Sequence, residues 1–290
     1  MTIISSSPPR SVCFRYIADI PLWTKEKPFV VDQIEKAQGE SISNIEYEDH
    51  ETENLHDLRG SESQLDIYEH SFQFFNRPTE LIKLPEEEMM VPYAEHVNDV
   101  LGDIFKTDHV FTYDLRFREN RTFSGDESLS TSRRVPSPTV SIVHGDHTRE
   151  GGWNRIARTL SEEELAEYQS GRWRARIVNV WRSILPVVED SPLAFLDPST
   201  VNEKDLLEVD RVSAVSYGTI YNIKYNPSHK WYWLSKQTSE EIAVFVCFDS
   251  DPPERKFNFC PHSAFTDPQT RADVPFRQSV ETRSIVFTRL

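Results

Sequence analysis

The feature that most limits the fold is the alternation of short apolar runs with turn residues after residue 108. β-branched and aromatic residues dominate these runs, and Pro, Asn, Asp and Gly occur between them. Eight runs have the length of a strand: 109–119, 139–146, 174–184, 191–197, 214–226, 230–236, 241–250 and 281–290. Many short strands at this spacing are typical of a β-sandwich or jelly roll. The sequence therefore predicts a mainly β fold.

The region before residue 108 differs from the rest. Residues 1–11 are rich in Ser and Pro and predict a flexible tail, and residues 14–23 predict a first strand. Residues 32–54 are acidic and polar, which favours an exposed connection. We expect one domain over residues 1–290, with an N-terminal strand and helical extension (12–107) packed on a β-core (108–290).

Helical periodicity is present between residues 79 and 105. Four apolar side chains recur at i, i+3, i+4 and i+7, which is one face of a helix: Val97, Val100, Leu101 and Ile104. Pro85 and Pro92 are expected to divide this region, because proline lacks the amide hydrogen of a helix interior. The prediction is thus a β-core with flanking N-terminal helices.

Charge and cysteine content limit the partners. Acidic residues outnumber Lys and Arg by 47 to 32, which gives a net charge of −15. Phosphate binding needs clustered basic side chains, so we expect neither a nucleic-acid nor a membrane partner. Three cysteines without a C-x-x-C pattern favour a reducing compartment. No apolar run reaches about 18 residues, so we expect a cytoplasmic protein. A homodimer is the working expectation for oligomeric state.

The run at 139–146 ends in His144-Gly145-Asp146. Side chains two apart on a strand share a face, so His144 and Asp146 would project together as two adjacent metal ligands. Two His and one carboxylate form the facial triad of non-haem Fe(II) oxygenases, which leaves three positions open. A surface His next to a turn-forming Asp is the competing interpretation. His147 is an alternative ligand, although it would point to the opposite face.

The metal hypothesis requires a second histidine far along the chain. His229 lies in a predicted hairpin, whereas His262 lies after Cys-Pro and shortly before the last strand. His262 fits an inward ligand better, and a buried His bonded to the backbone is its alternative interpretation.

A 2-oxo acid chelated by such a metal would also need an anchor for its far carboxylate. Arginine is preferred because it binds carboxylates with two parallel hydrogen bonds. Arg277 and Ser279 are two apart and share a strand face, and Arg283 alternates onto the same face as a rival anchor.

Several segments resemble a mostly fungal family of hydroxylase/desaturase enzymes. The similarity lies in VHGDHT (143–148), RIVNVWRSILPVVEDSPLAFLD (176–197), HKWYWLS (229–235), CPHSAFTDP (260–268) and FRQSVETRSIVF (276–287), all in the order that the family shows. An N-terminal segment, HDLRGSESQLDIYEHSFQFFNRPTE, is similar as well. The resemblance covers roughly residues 50 to 290.

This resemblance implies a double-stranded β-helix, a jelly-roll or cupin-like fold, and an Fe(II)- and 2-oxoglutarate-dependent oxygenase. Such an enzyme couples decarboxylation of 2-oxoglutarate to oxidation of a C–H bond by O2, by hydroxylation, desaturation or cyclisation. The implied small-molecule substrate belongs to secondary metabolism. The implied metal ligands are His144, Asp146 and His262, and Arg277 with Ser279 is the implied 2-oxoglutarate anchor.

Three residues of the strand at 174–184 are further candidates. Asn179 and Trp181 share a face, so we expect Asn179 to contact 2-oxoglutarate or substrate and Trp181 to contact substrate. Arg182 is a candidate for a substrate carboxylate. Two other functions use the same residues: a zinc hydrolase, since catalytic zinc also takes three protein ligands and a water, and a non-catalytic small-molecule-binding jelly roll.

Overall fold

The computed structural model describes residues 7–32, 42–121, 137–213, 217–252, 257 and 259–290. Within these residues the strands are β1 (Arg10–Ile17), β2 (Phe29–Asp32), β3 (Tyr47–Asp57), β4 (Phe72–Asn76), β5 (Val110–Glu119), β6 (His144–Gly145), β7 (Trp173–Ser183), β8 (Leu193–Leu196), β9 (Leu206–Ser213), β10 (Tyr217–Ile223), β11 (Trp231–Trp233), β12 (Glu241–Asp249), β13 (His262–Ala264) and β14 (Gln278–Arg289). The α-helices are α1 (Ile67–His70), α2 (Glu86–Phe105), α3 (Arg149–Thr159) and α4 (Glu162–Tyr168).

The described strands form two facing sheets. One sheet has nine strands in the order β1-β3-β11-β8-β13-β6-β10-β9-β2, and the other has five in the order β4-β12-β7-β14-β5. Most neighbours are antiparallel, and β11 pairs with β3, and β2 with β9, in parallel. The mainly β fold predicted from the spacing of the apolar runs is confirmed.

Side-chain alternation along β7 explains how the five-stranded sheet packs. Ile177 and Trp181 belong to a cluster that also contains Phe195 of the nine-stranded sheet, so they point between the sheets. Val178 and Val180 point the other way and pack with the buried face of α2. A strand covered on both faces is apolar almost throughout, as the sequence of β7 is.

Helix α2 confirms the predicted periodicity. Val97, Val100 and Leu101 are buried in the cluster that covers the five-stranded sheet. Pro85 precedes the first turn as predicted, but Pro92 lies inside the helix and does not divide it. Packing of the apolar face outweighs the one hydrogen bond that proline removes. Among the described residues, no helix is both long and apolar enough to span a membrane.

The N-terminal region differs most from expectation. Residues 47–54, predicted as part of an exposed connection, belong to β3, which is hydrogen-bonded to β1 on one side and β11 on the other. Among the described strands, residues 47–54 pair with β1 alone, since β11 pairs only with Leu55, His56 and Asp57, and the hydrogen bonds to β1 form the strand despite its polar composition. Strand β1 begins at Arg10, inside the predicted tail, and residues 1–6 and 33–41 lie outside the described residues.

The segments before residue 108 do not pack on a separate core. Strand β3 pairs with β11, and β4 pairs with β12, so N-terminal segments are built into both sheets. Strands β2, β4, β9 and β13 were not predicted, because β2, β4 and β13 have five residues or fewer and β9 contains three charged residues.

Candidate metal and cosubstrate site

The three predicted metal ligands come together between the sheets. His144 on β6 and His262 at the start of β13 are register partners, and their ring centroids lie 4.4 Å apart. Asp146 follows one residue after the end of β6. The ligand atoms of these three side chains all lie within 4.8 Å of one another. We name His144, Asp146 and His262 the triad.

Gly145 separates the two triad residues of β6 for a steric reason. A Cβ atom at this position would lie 2.5 Å from Cε2 of Phe259, which is closer than real Cβ contacts. Phe259 is itself held by stacking on Tyr221, with ring centroids 5.2 Å apart. Only glycine therefore fits between His144 and Asp146 with Phe259 in this position.

Both triad imidazoles are fixed in one tautomer. Nδ1 of His144 lies 2.8 Å from the carbonyl oxygen of Ile142, and Nδ1 of His262 lies 3.0 Å from that of Cys260. A carbonyl only accepts hydrogen bonds, so Nδ1 carries the proton and Nε2 presents a lone pair. Burial, together with the neighbouring His144, lowers the pKa of His262 to about 4, so His262 is neutral near pH 7.

The two carboxylate oxygens of Asp146 have different surroundings. Oδ2 accepts hydrogen bonds from Nδ2 of Asn179 at 2.7 Å and from the Cys247 thiol at 3.4 Å. Oδ1 lies 3.5 Å from Nε2 of His144. Burial alone would raise the pKa of Asp146, but the Arg283 guanidinium and the triad imidazoles hold it well below its usual range. Asp146 thus offers Oδ1 as one anionic donor atom.

Arg283 lies behind the triad. Its Nη1 donates to Asp114 at 3.2 Å, its Nη2 donates to Glu281 at 3.0 Å, and its Nε lies 4.0 Å from Oδ2 of Asp146. These three carboxylates outweigh burial and raise the pKa of Arg283. Arg283 and Asn179 therefore lie at the rear of Asp146, where they can support this triad ligand. Their contacts with 2-oxoglutarate stay predictions.

A cleft opens on the other side of the triad. Its lining within the described residues consists of Arg118, Val140, His144, Asp146, Trp181, Leu193, His262, Arg277 and Glu281. The triad and the predicted anchor Arg277 therefore face one space.

Several buried polar atoms around the site have no hydrogen-bond partner among the described residues, including Nε of Arg283 and Oδ1 of Asn179 beside Asp146. Two others, Nε of Arg277 and Oγ of Ser279, lie near the cleft. Ser279 occupies the same face of β14 as Glu281, which lines the cleft. Unsatisfied buried polar atoms are costly, so these two are ready to bind an acceptor group of a ligand.

The structure separates Trp181 from Arg182. Trp181 lines the cleft, and the guanidinium carbon of Arg277 lies 5.6 Å from its ring centroid. Arg182 points to the opposite face of β7, where it donates to Tyr93, Ser239 and Arg77. Arg182 therefore lies away from the cleft, because adjacent strand residues face opposite ways, and its predicted role in binding substrate gains no support from this position.

The alternative histidines lie outside the triad. His229 is buried against Tyr16, and its Nε2 lies 3.4 Å from Asp205. His147 does not group with the triad as a potential metal ligand among the described residues.

Two residues that line the cleft were not predicted. They are Glu281 and Arg118, and Nη2 of Arg118 lies 3.5 Å from Oε1 of Glu281. Strand alternation from Ser279 could have indicated Glu281, whereas no sequence signal distinguishes Arg118.

Comparison with known proteins identifies the family of this chain. The family model described as "Oxidoreductase/YMDC permease-like domain" matches residues 14–287. The chain belongs to this family. The oxidoreductase family thus spans both sheets and every residue of the triad.

Individual relatives agree with the resemblance noted in the sequence. The hydroxylase/desaturase efuI of Hormonema carpetanum is 26% identical over 80% of this chain and 82% of its own. The Fe(II)/2-oxoglutarate-dependent dioxygenase nvfI of Aspergillus novofumigatus is 25% identical over 91% and 92%. The predicted family resemblance is confirmed.

A solved structure supports the fold. The iron and alpha-ketoglutarate-dependent endoperoxidase NvfI superposes with a TM-score of 0.83 at 22% identity, covering 98% of this chain and 99% of that chain. The predicted jelly-roll fold is confirmed by this similarity.

Proposed function

We propose that this oxidoreductase is a non-haem Fe(II)- and 2-oxoglutarate-dependent oxygenase that oxidises a C–H bond of a small molecule. The observation that carries the assignment is one cleft that joins the triad to Arg277, whose buried Nε is unpartnered among the described residues. The named relatives are a hydroxylase/desaturase and a Fe(II)/2-oxoglutarate-dependent dioxygenase, which supports this class of reaction, and their fungal sources support a place in fungal secondary metabolism.

The donor set suits Fe(II). Two imidazoles with free Nε2 atoms and one carboxylate oxygen are the ligand types of a facial triad, and the cleft leaves its other side open. Asn179 and Cys247 occupy Oδ2 of Asp146, so this carboxylate binds through Oδ1 alone. One-atom binding by Asp146 keeps positions available for cosubstrates.

Arg277 and Ser279 would hold the far carboxylate of 2-oxoglutarate. Arg277 is 3% exposed and Ser279 is fully buried, so water does not compete freely for either group. A charged donor next to a hydroxyl donor recognises a carboxylate with strength and direction. The guanidinium of Arg277 lies over the Trp181 ring, which limits its movement.

Bound Fe(II), with 2-oxoglutarate and O2, supplies C–H oxidation coupled to decarboxylation of 2-oxoglutarate to succinate. The chain contributes position and exclusion of water. Val140, Trp181 and Leu193 form apolar walls of the cleft, which keep solvent away from the reacting atoms. Hydroxylation, desaturation and cyclisation all fit this arrangement, since the position of the substrate selects among them.

The two other functions are less well supported. A zinc hydrolase would use the triad but leaves the buried donors of Arg277 and Ser279 without a role. A non-catalytic binding protein would not need the tautomers of both triad imidazoles to be fixed. The relatives named as dioxygenase and hydroxylase/desaturase do not favour either function.

An anaerobic titration tests the proposal. Purified apoprotein is titrated with Fe(II) and then 2-oxoglutarate, and the weak visible charge-transfer band of the chelated complex is recorded. We expect the band in the wild type and in His229→Ala, which loses a buried histidine outside the site, and its loss in His262→Ala. A wild type that forms no band but binds Zn(II) tightly at the triad would exclude the oxygenase and favour the hydrolase.

A further inference from the structure

The Arg277 anchor is attached to two loops that are distant in sequence. Its backbone N–H donates to Oδ2 of Asp190 at 2.8 Å, and its carbonyl accepts from the backbone N–H of Asn120 at 2.9 Å. Its Nη1 donates to the carbonyl of Ser191. Backbone and side chain of Arg277 are thus both held by other segments.

The two loops also bind each other. Nδ2 of Asn120 donates to Oδ2 of Asp190 at 2.8 Å and to Oγ of Ser191 at 2.7 Å, and Oγ of Ser191 donates to Oδ1 of Asp190 at 2.9 Å. Oδ1 of Asn120 accepts from Thr139 at 3.0 Å. We name Asn120, Asp190 and Ser191 the platform.

Ser191 has a left-handed backbone conformation, with φ of 44°. This region is unfavourable for a residue with a side chain, so the surrounding contacts must maintain it. The conformation coincides with the carbonyl that accepts from Nη1 of Arg277. The hydrogen bonds of Asp190 and Asn120 to the same turn are the contacts that maintain it.

We infer that the platform positions the Arg277 guanidinium and thereby sets the affinity for 2-oxoglutarate without contacting it. Nη1 of the guanidinium donates to the carbonyl of Ser191, which leaves Nε to donate to the carboxylate of the ligand. A donor fixed in advance does not lose side-chain freedom when the ligand binds, so affinity is higher. This inference rests on the proposed function, in which Arg277 is the anchor.

Three variants separate positioning from charge. Asp190→Ala removes the two carboxylate oxygens that accept hydrogen bonds from Arg277, Asn120 and Ser191. The dissociation constant for 2-oxoglutarate should rise roughly tenfold, the size typical of losing a residue that orients a ligand-binding group. Asp190→Asn removes the charge but keeps an acceptor oxygen, so its affinity should stay near that of the wild type. Asn120→Ala should weaken binding as Asp190→Ala does, and it replaces that variant if Asp190→Ala fails to fold.

The control is Asp197→Ala. Asp197 caps a turn at the other end of β8, where its Oδ1 accepts from the amide and hydroxyl of Ser199 at 2.9 and 2.6 Å. The substitution Asp197→Ala therefore removes a similar turn-capping carboxylate at a position away from Arg277. Dissociation constants for Fe(II) and for 2-oxoglutarate are both measured in the anaerobic titration, and only the second should change in the platform variants.

The outcomes are distinct. If the wild type forms no complex with 2-oxoglutarate, the proposed function fails. If it does and the platform variants bind like the wild type, only the positioning inference is overturned. The inference also fails if Asp197→Ala weakens binding equally, or if Asp190→Ala and Asp190→Asn both bind more tightly, since charge would then be the dominant effect.

Discussion

Replacement of Arg277 by Met gives the sharpest test of the cosubstrate site. The substitution removes the guanidinium, which lies over the Trp181 ring, but keeps an unbranched apolar side chain at this position. We expect Fe(II) binding to persist, because the triad contacts none of the atoms removed, and 2-oxoglutarate binding to weaken.

The structure sets the size of this effect. Arg277 is 3% exposed, so solvent cannot replace the lost donor efficiently. A hydrogen bond to a charged group contributes about 1.5–3 kcal/mol. At about 1.4 kcal/mol per tenfold, the dissociation constant for 2-oxoglutarate should rise roughly 10- to 150-fold.

Two matched variants complete the assay, which measures 2-oxoglutarate affinity from the anaerobic charge-transfer band. Arg182→Met removes an equally buried guanidinium on the opposite face of β7 and should leave 2-oxoglutarate affinity unchanged. Arg283→Met removes support from Asp146 and should weaken Fe(II) binding first. If Arg277→Met binds 2-oxoglutarate normally while Arg283→Met does not, Arg283 is the anchor and the reasoning is refuted.

Three further predictions concern the surroundings of the triad and the pH dependence of stability. Asn179→Ala removes the 2.7 Å hydrogen bond to Asp146 and should weaken Fe(II) binding about 10- to 100-fold, measured by competition with a chelator; unchanged affinity would contradict the supporting role. Gly145→Ala places Cβ against Phe259 and should lower the free energy of unfolding by about 1–3 kcal/mol, which Phe259→Leu should partly restore in urea denaturation. Burial lowers the pKa of His229 despite a nearby carboxylate, so the unfolded chain binds more protons below about pH 6.5. Stability should therefore fall as the pH falls through that range, and His229→Gln should show a shallower dependence.

Local patterns were enough to predict much of the candidate site. His144 and Asp146 are separated by one residue, and strand geometry alone places such a pair on one side of the chain. The periodic face of α2 and the apolar alternation of β7 and β14 were predictable for the same reason. His262 could be preferred over His229 from its neighbours, but only the pairing of β13 with β6 brings it to His144.

The errors arose where partners are distant in sequence. Strand β3 has the composition of a loop, and its two neighbouring strands make it part of the sheet. Arg182 was a candidate for a substrate carboxylate, but its position next to Trp181 turns it to the face covered by α2. Arg283 shares a strand face with Ser279, yet its hydrogen bond to Asp114 on the neighbouring β5 holds it at the rear of the triad.

The sequence by itself predicted the mainly β class, the adjacent projection of His144 and Asp146 and the Arg277–Ser279 pair, because each depends on residue type and on local spacing along the chain. The tertiary structure alone decided which oxygen of Asp146 is available, which arginine lies in the cleft, and how Arg277 is held. Asn179 is 33 residues from Asp146, and Arg277 is 86 residues from Ser191. Contacts over such separations form only when the sheets assemble, so no local pattern encodes them.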